Sequence, residues 1–322
     1  GKTTEDDDKG KMSSVREVNS VCAILIADLH LWLKAPLFRE AEPCWWAAQE
    51  RVLDQVFSLA EKHNTPVVCA GDVFDRWYAP AELINRVIHA FRKPVYSVAG
   101  NHDLPNHVLS DMKRSAYWTL VEAGVLRHLT CGKPEYLESA ILWGFSNGEK
   151  IIPCPEGNKS PFGIHLAVVH QYCWQPGSSY PGAPEEGNVK NLRKHLAGYS
   201  AATFGDNHKG FLSSGSDKFP ILNCGTLLRR KSDEVDYIPC VGLLFTDGTI
   251  ERSPLDCSKD VVSERIKIVK SSETNLASGV VEELNSIGEG ELDFIQVLNQ
   301  RLKREDVSQQ TRTFVLGCVD GK

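Results

Sequence analysis

The sequence predicts an α/β fold, because short apolar segments of strand length alternate with segments of helical periodicity. Residues 21–27 form a continuous apolar run, which is typical of a central strand buried on both faces. Between residues 43 and 62 apolar side chains recur at spacings of three and four, which predicts an amphipathic helix. A strand over 65–70, a helix over 81–91 and a strand over 95–99 continue the alternation. This order of elements indicates α/β layering.

The second half of the sequence contains more strands and fewer helices. A helix is predicted over 111–123, and strands over 140–144, 165–170, 201–205, 220–223 and 241–245. We interpret these strands as a second sheet. Beyond residue 255 the pattern changes to a half-exposed strand over 265–270 and two helical segments over 275–287 and 292–304. Residues 258–322 are therefore predicted to form a small C-terminal α/β module.

Composition narrows the class of protein. No apolar run in the 322 residues approaches the roughly 20 residues that a membrane helix requires, so no membrane segment is expected. A formal charge of −6 argues against a broadly basic surface that binds nucleic acid by charge alone. The ten cysteines include no Cys-x-x-Cys pair and are interpreted as reduced thiols of a cytoplasmic protein. Residues 1–14 are expected to be a tag remnant or disordered.

Five short polar segments each follow an apolar strand. Any one of them alone would more often be a turn than a metal site, but strands of an open α/β sheet bring their carboxyl ends to one edge. Mixed carboxylate, imidazole and amide ligands suit two divalent ions. Two such ions can clamp a phosphoryl group and convert a shared water to hydroxide, which predicts phosphoester hydrolysis. The segments are Asp28-Leu29-His30, Gly71-Asp72-Val73-Phe74-Asp75, Gly100-Asn101-His102-Asp103, Val169-His170 and Gly205-Asp206-Asn207-His208.

Together the segments resemble the signature of the calcineurin-like metallophosphoesterase superfamily. That signature reads Asp-x-His, Gly-Asp-x-x-Asp, Gly-Asn-His-Asp or Gly-Asn-His-Glu, a lone His, and Gly-His-x-His. The resemblance spans residues 28–208. It implies a four-layer α/β/β/α sandwich of two mixed sheets flanked by helices, which we place over residues 15–257. It also implies two divalent metal ions, for which we expect Mn²⁺ first, with Mg²⁺, Fe or Zn²⁺ as alternatives.

Carried over position by position, the resemblance implies a set of ligands for each ion. One ion would be held by Asp28, His30 and His208, the other by Asn101 and His170, and Asp72 would bridge the two. Where the family has the first histidine of its last motif, this chain has Asp206. We expect Asp206 to bind the second ion through its carboxylate, which would favour Mn²⁺ or Mg²⁺. The alternatives are a weakly held second ion, or a chain that uses Asn207 instead.

The resemblance also implies catalytic roles. His102 would protonate the leaving oxygen or stabilise the transition state, and Asp103 would orient its ring. Asp75 would support the bridging loop through hydrogen bonds. Arg76 is a candidate for contact with a phosphate oxygen, with a structural ion pair as the alternative. His107 follows the Gly-Asn-His-Asp segment closely and is a second candidate for substrate binding.

The predicted function is that of a phosphodiesterase whose substrate is DNA or RNA. The Gly-Asn-His-Asp segment and the strand-turn-strand pattern over 241–255 resemble the DNA-repair nuclease branch of the superfamily, whose members often form homodimers and work with an ATPase partner. Aromatic residues near the motifs, among them Trp32, Trp77 and Tyr78, are either packing residues or a stacking platform for nucleobases. The alternatives are a phosphomonoesterase acting on a phosphoprotein or a small ester, and a non-enzymatic scaffold of the same fold.

Overall fold

The structure is a computed structural model that describes residues 19–155, 163–180, 182–215 and 219–263. Among these, residues 19–178 and 184–263 form one compact unit, and residues 179–183 group separately. The predicted tag, residues 1–14, lies outside the described residues. So do residues 264–322, and with them nearly all of the predicted C-terminal module. The domain boundaries therefore stay predictions.

The first of two sheets is mixed and six-stranded. Its strands are β1 (Val21–Ile26), β2 (Val67–Cys69), β3 (Val95–Ser97), β4 (Leu126–His128), β11 (Cys240–Phe245) and β12 (Ile250–Pro254). They lie in the order β12-β11-β1-β2-β3-β4. Strands β1 to β4 are parallel, whereas β11 and β12 pair antiparallel with their neighbours.

The second sheet is also mixed and six-stranded. Its strands are β5 (Glu135–Tyr136), β6 (Ala140–Phe145), β7 (Ile164–His170), β8 (Ala201–Gly205), β9 (Phe211–Ser214) and β10 (Pro220–Asn223). They lie in the order β5-β6-β7-β8-β10-β9. Strands β6, β7, β8 and β10 are parallel, and β5 and β9 are antiparallel edge strands.

Strand β1 separates two hydrophobic cores, because its side chains alternate between the two faces of the first sheet. Ile24 packs into the core that also contains Val56 of helix α1 (Trp45–Lys62). Leu25 points the other way, into the core between the sheets, where Leu166 of β7 joins it. All four side chains are fully buried, and each such aliphatic side chain stabilises the fold by roughly 1.5 to 3 kcal/mol.

Helices cover the outer faces of both sheets. Helices α1, α2 (Ala81–Ala90) and α3 (Ala116–Glu122) contribute to the core on the first sheet. Helix α4 (Val189–His195) places Leu192 in a third core with Val169 of β7, on the outer face of the second sheet. The predicted sandwich of two mixed sheets flanked by helices is therefore confirmed. None of the helices in the described residues is long and apolar enough to cross a membrane.

The strand predicted over 241–245 was assigned to the second sheet, but as β11 it pairs with β1 and belongs to the first sheet. The other elements that differ from the sequence predictions are short. The helix predicted over 111–123 is interrupted at Ser115, whose hydroxyl accepts a hydrogen bond from the backbone N–H of Trp118 and so caps α3. Residues 109–114 form a separate 3₁₀ segment. Strands β4, β5 and β9 and helix α4 were not predicted, because two to seven residues show too little periodicity to identify an element.

Candidate metal centre

The five polar segments lie at the carboxyl ends of strands in the two sheets. In the first sheet, Asp28 follows β1, Asp72 follows β2 and Asn101 follows β3. In the second sheet, His170 ends β7 and Asp206 follows β8. Since the strands within each group run parallel, their carboxyl ends are neighbours.

The backbone is strained at four of the predicted ligands. Seven non-glycine residues in the described part of the chain have a positive φ, and four of them are predicted metal ligands. These four are Asp28 (φ 52°), His30 (φ 44°), Asp72 (φ 55°) and Asp206 (φ 84°). Such conformations cost roughly 1 to 3 kcal/mol each and concentrate at functional sites. Their coincidence with the ligand motifs supports a functional site at this edge.

Two glycines let the motif loops approach one another. A Cβ atom on Gly100 would collide with the carboxylate Oδ1 of Asp72. A Cβ atom on Gly205 would collide with the carbonyl oxygen of Ala70 and lie 2.9 Å from Nδ1 of His170. The glycine that precedes each of these motifs is therefore required by the close packing of the loops.

Two groups of potential metal ligands share Asp72. One group joins Asp72 to His30 and His102, and the other joins it to Asp28 and His170. The potential ligand atoms of each group lie within 4.8 Å of one another. Two groups of carboxylate and imidazole donors that share one carboxylate fit two divalent ions. The grouping differs from the one that the family resemblance implies, since Asp28 and His30 fall into different groups.

His170 is held for ligation through its outer ring nitrogen. Its Nδ1 lies 2.7 Å from the carbonyl oxygen of Ala70, which fixes the proton on Nδ1. Its Nε2 lies 2.9 Å from Oδ1 of Asn101 and 3.5 Å from Oδ2 of Asp72. Burial would lower the pKa of His170, but the negative charges of Asp72, Asp206 and Asp28 raise it to about 9. The surroundings of this ring are therefore strongly attractive to a cation.

His30 lies beside Asp72, and His208 lies beside His30. Their Nε2 atoms lie 3.0 Å apart, and Nε2 of His30 lies 3.7 Å from Oδ2 of Asp72. Burial holds the pKa of His30 well below its usual value, so that its ring is in the neutral form that binds metals. Asn101 and these two histidines were all predicted as ligands, and the structure places Asn101 beside His170, His30 beside Asp72, and His208 beside His30.

Asp206 contacts Asp28 through its backbone. Its N–H donates to both carboxylate oxygens of Asp28, at 3.0 and 3.1 Å. The Asp206 side chain is half-buried, and its charge acts on both Asp28 and His170. The Asn207 amide instead donates to the carbonyl oxygens of Cys173 and Ser178, at 2.8 and 3.0 Å. Because that side chain holds its own loop, the structure argues against Asn207 as the substitute ligand.

Asp103 organises the backbone around the site. Its carboxylate accepts hydrogen bonds from the N–H groups of Gly100, Val73 and Phe74, at 2.9, 3.3 and 3.2 Å. The ring of His102 was predicted to be oriented by Asp103. In the structure, its Nδ1 lies 2.7 Å from the carbonyl oxygen of Asp75. The contact that fixes this ring therefore comes from Asp75, and Asp103 joins the Gly-Asp and Gly-Asn-His-Asp loops.

The two predicted substrate-binding residues lie beside these loops. His107 is exposed, has a φ of 57°, and places its Nδ1 3.0 Å from the carbonyl oxygen of Asn101. Arg76 is also exposed. Its Nη1 donates to the hydroxyl of Tyr78 at 2.9 Å, and its guanidinium lies 5.2 Å from the ring centre of Trp32. The carboxylate of Asp75 forms an ion pair with Arg230.

Glu234 is a functional candidate that the motifs did not reveal. Its Oε1 lies 3.8 Å from Nδ1 of His208, and its Oε2 accepts from the backbone N–H groups of Arg230 and Lys231, at 2.5 and 2.9 Å. Burial would raise the pKa of Glu234, but the nearby His208 ring and the hydrogen bonds from these N–H groups hold it below the usual range. A carboxylate behind a metal-binding histidine fixes the tautomer and raises the basicity of the ring.

Replacing Glu234 with glutamine is expected to weaken Mn²⁺ binding roughly 10- to 100-fold, the usual effect of losing a carboxylate behind a ligating histidine. Titration calorimetry of the metal-free protein with Mn²⁺ would measure it. Glu251→Gln, which changes an exposed carboxylate on β12, is the matched control and should bind like the wild type. An unchanged dissociation constant for Glu234→Gln would show that this carboxylate does not support His208.

Comparison with known proteins identifies the family signature independently of these distances. Residues 23–213 match the family described as calcineurin-like phosphoesterase. No curated protein matches the sequence. A crystal structure of a dimetal phosphatase from Danio rerio is 11% identical, covers 73% of this chain and 96% of its own, and has a TM-score of 0.46. A second crystal structure is 11% identical, covers 73% and 98%, and has a TM-score of 0.39.

Proposed function

We propose that this chain, which belongs to the calcineurin-like phosphoesterase family, is a two-metal phosphodiesterase that hydrolyses the backbone of DNA or RNA. Family membership supports a metal-dependent phosphoester hydrolase. The observation that carries the proposal is that one carboxylate, Asp72, belongs to both groups of potential metal ligands. A shared carboxylate can hold two cations close enough for both to act on one phosphoryl group.

The side chains of the site divide into ligands and a proton donor. Two divalent ions, when bound, would polarise the phosphoryl group and lower the pKa of a water molecule. The proposed ligands are Asp28, His30, Asp72, Asn101, His170, Asp206 and His208. His102 belongs to the group of potential ligands around His30, but Nε2 of His208 lies 3.0 Å from Nε2 of His30 and can take that place. We therefore assign proton transfer to the leaving oxygen to Nε2 of His102, because Nδ1 of this ring is bound to the carbonyl oxygen of Asp75. The harder carboxylate of Asp206 supports Mn²⁺ or Mg²⁺ at the site.

The charge around the site supports a diester over a monoester. A monoester carries one more negative charge than a diester and requires additional cationic side chains. The charge of Arg230 is paired with the Asp75 carboxylate. Arg230 and Lys231 nevertheless lie close enough to lower the pKa of His30, and this observation keeps a phosphomonoesterase as the second candidate function.

Side-by-side hydrolysis of bis-p-nitrophenyl phosphate and p-nitrophenyl phosphate with added Mn²⁺ tests the proposal. We expect preferential turnover of the diester, and a loss of roughly a hundredfold in His102→Ala, the usual contribution of a general acid. His63→Ala, at the end of α1, is the control histidine. Preference for the monoester would establish the second candidate. Absence of Mn²⁺-dependent turnover of either ester would contradict both and favour the scaffold.

The cellular setting is also part of the proposal. All nine cysteines in the described residues are free thiols, and five of them are buried. Free thiols are typical of reducing compartments, which supports a cytoplasmic location. A homodimer and an ATPase partner stay predictions from the family resemblance, and both can be tested by size-exclusion chromatography coupled to light scattering and by co-purification.

A further inference from the structure

Three aromatic rings and an arginine form a cluster, here called the aromatic platform, from Trp32, Arg76, Trp77 and Tyr78. The rings of Trp32 and Tyr78 meet edge to face with centroids 5.8 Å apart, and those of Trp77 and Tyr78 meet at 5.3 Å. The Arg76 guanidinium lies over the Trp32 ring and donates a hydrogen bond to the Tyr78 hydroxyl. The four side chains thus fix one another's orientation.

The platform is attached to the same two loops that carry metal ligands. Trp32 follows His30 by two residues, and its backbone N–H and carbonyl are both bonded, at 2.9 Å, to the side chain of Gln49, which is fully buried. Arg76 follows Asp75, whose carbonyl oxygen holds the ring of His102. The platform is therefore carried by the loops that also carry His30 and Asp75, and the bonds to Gln49 anchor its Trp32 end.

Part of the aromatic platform remains exposed to solvent. Tyr78 remains 44% exposed although it contacts two tryptophans, and Arg76 is exposed as well. An exposed aromatic surface with a fixed guanidinium suits a ligand that has both a planar ring and a negative charge. Nucleobases joined by phosphates have both properties, and every base offers a ring face for stacking whatever its sequence.

We infer that the aromatic platform is a subsite that stacks a nucleobase next to the phosphodiester held at the metal centre. The inference rests on the proposed function and gives it a substrate class, single-stranded nucleic acid, because a paired base would have its faces covered by its neighbours. Stacking is tolerant of sequence, so the subsite would select nucleic acid over other diesters without reading a particular base.

Binding to two matched oligomers tests the inference. One is a fluorescent single-stranded thymidine oligonucleotide, and the other has the same length and phosphates but tetrahydrofuran units in place of every nucleoside. Affinities are measured by fluorescence anisotropy with Mn²⁺ present, in protein carrying His102→Ala so that the oligomers persist. We expect the thymidine oligomer to bind more tightly than the abasic oligomer. Tyr78→Ala should weaken binding of the thymidine oligomer about tenfold, as the loss of one stacked base does, and should leave the affinity for the abasic oligomer unchanged.

Two further variants keep the outcome interpretable. Tyr78→Phe retains the ring but loses the hydrogen bond from Arg76, so it should bind the thymidine oligomer more tightly than Tyr78→Ala does. Tyr136→Ala removes an exposed tyrosine on β5 and should have no effect. Equal affinity of the parent for both oligomers, or an equal loss for both in Tyr78→Ala, would overturn the inference. Failure of the proposed function would appear separately, as absent hydrolysis of the p-nitrophenyl esters.

Discussion

Asp72→Asn is expected to lower kcat/KM for any phosphoester that the chain hydrolyses by roughly a thousandfold, about 4 kcal/mol of transition-state stabilisation. Asparagine preserves the shape of the side chain, and its oxygen can still accept the N–H of His102, which lies 3.0 Å from Oδ1 of Asp72. It removes the negative charge that both groups of ligands share. The negative charge that would hold two cations close together is then lost.

The metal content of Asp72→Asn should fall together with its activity. Elemental analysis is expected to find two Mn²⁺ ions in each wild-type chain and one or none in the variant. Asp54→Asn, which alters a carboxylate that is 61% exposed and paired with Arg92, is the matched control and should keep both ions and full turnover. A variant that retains two ions and activity within tenfold of wild type would show that Asp72 is not the shared ligand.

Protons compete with Mn²⁺ for the Asp72 carboxylate, so metal binding should depend on pH. Burial raises the pKa of this carboxyl to about 7 in the metal-free protein. The pKa of His170 is about 9, and both groups bind metal only after losing a proton, so the affinity for Mn²⁺ should decrease as the pH falls from about 9 and further as it falls below about 7. Asp72→Asn has no such proton to lose, so its residual metal binding should depend less on pH in this range.

The ligand motifs could be read from the sequence because each consists of a few polar residues directly after a buried strand. Strand β1 shows why this works: its apolar run predicted burial on both faces, and the structure places Ile24 and Leu25 in different cores. Once the strands are parallel and central, their carboxyl ends share an edge, and the residues that follow them, such as Asp28 and Asp72, become neighbours.

The support of those ligands could not be read in the same way. Glu234 reaches His208 because a loop folds back over the site, and no local pattern encodes that path. Asp103 follows His102 in sequence, yet its carboxylate is bonded to the backbone of two loops, while the Asp75 carbonyl holds the His102 ring. Adjacency in sequence predicts neither the direction of a side chain nor its partner when the backbone turns between them.

Arg39→Ala is expected to lower the free energy of unfolding by about 3 to 5 kcal/mol, the usual cost of removing one partner from a buried ion pair. Arg39 is 1% exposed, forms ion pairs with Glu42 and Asp260, and donates a 3.0 Å hydrogen bond to the carbonyl oxygen of Arg229. Its removal leaves two carboxylates with less compensation. It also removes a hydrogen bond that holds the backbone at Arg229. The next residue, Arg230, is the ion-pair partner of Asp75.

Urea unfolding measures the free energy of unfolding of Arg39→Ala and Arg86→Ala. Each variant loses an ion pair, but only the pair of Arg39 is buried. Arg86 forms a 2.7 Å ion pair with Glu82 on α2, but its side chain is 37% exposed, so its loss should cost no more than about 0.5 kcal/mol.

Burial would raise the pKa of Glu42, and the hydrogen bond from Arg39 holds that pKa below the usual value. A lowered carboxyl pKa stabilises the fold above the unfolded value of 4.5 and loses this effect as the pH falls through the folded value. The deficit of Arg39→Ala should therefore shrink at acid pH, and a deficit that is independent of pH would assign Arg39 a packing role instead.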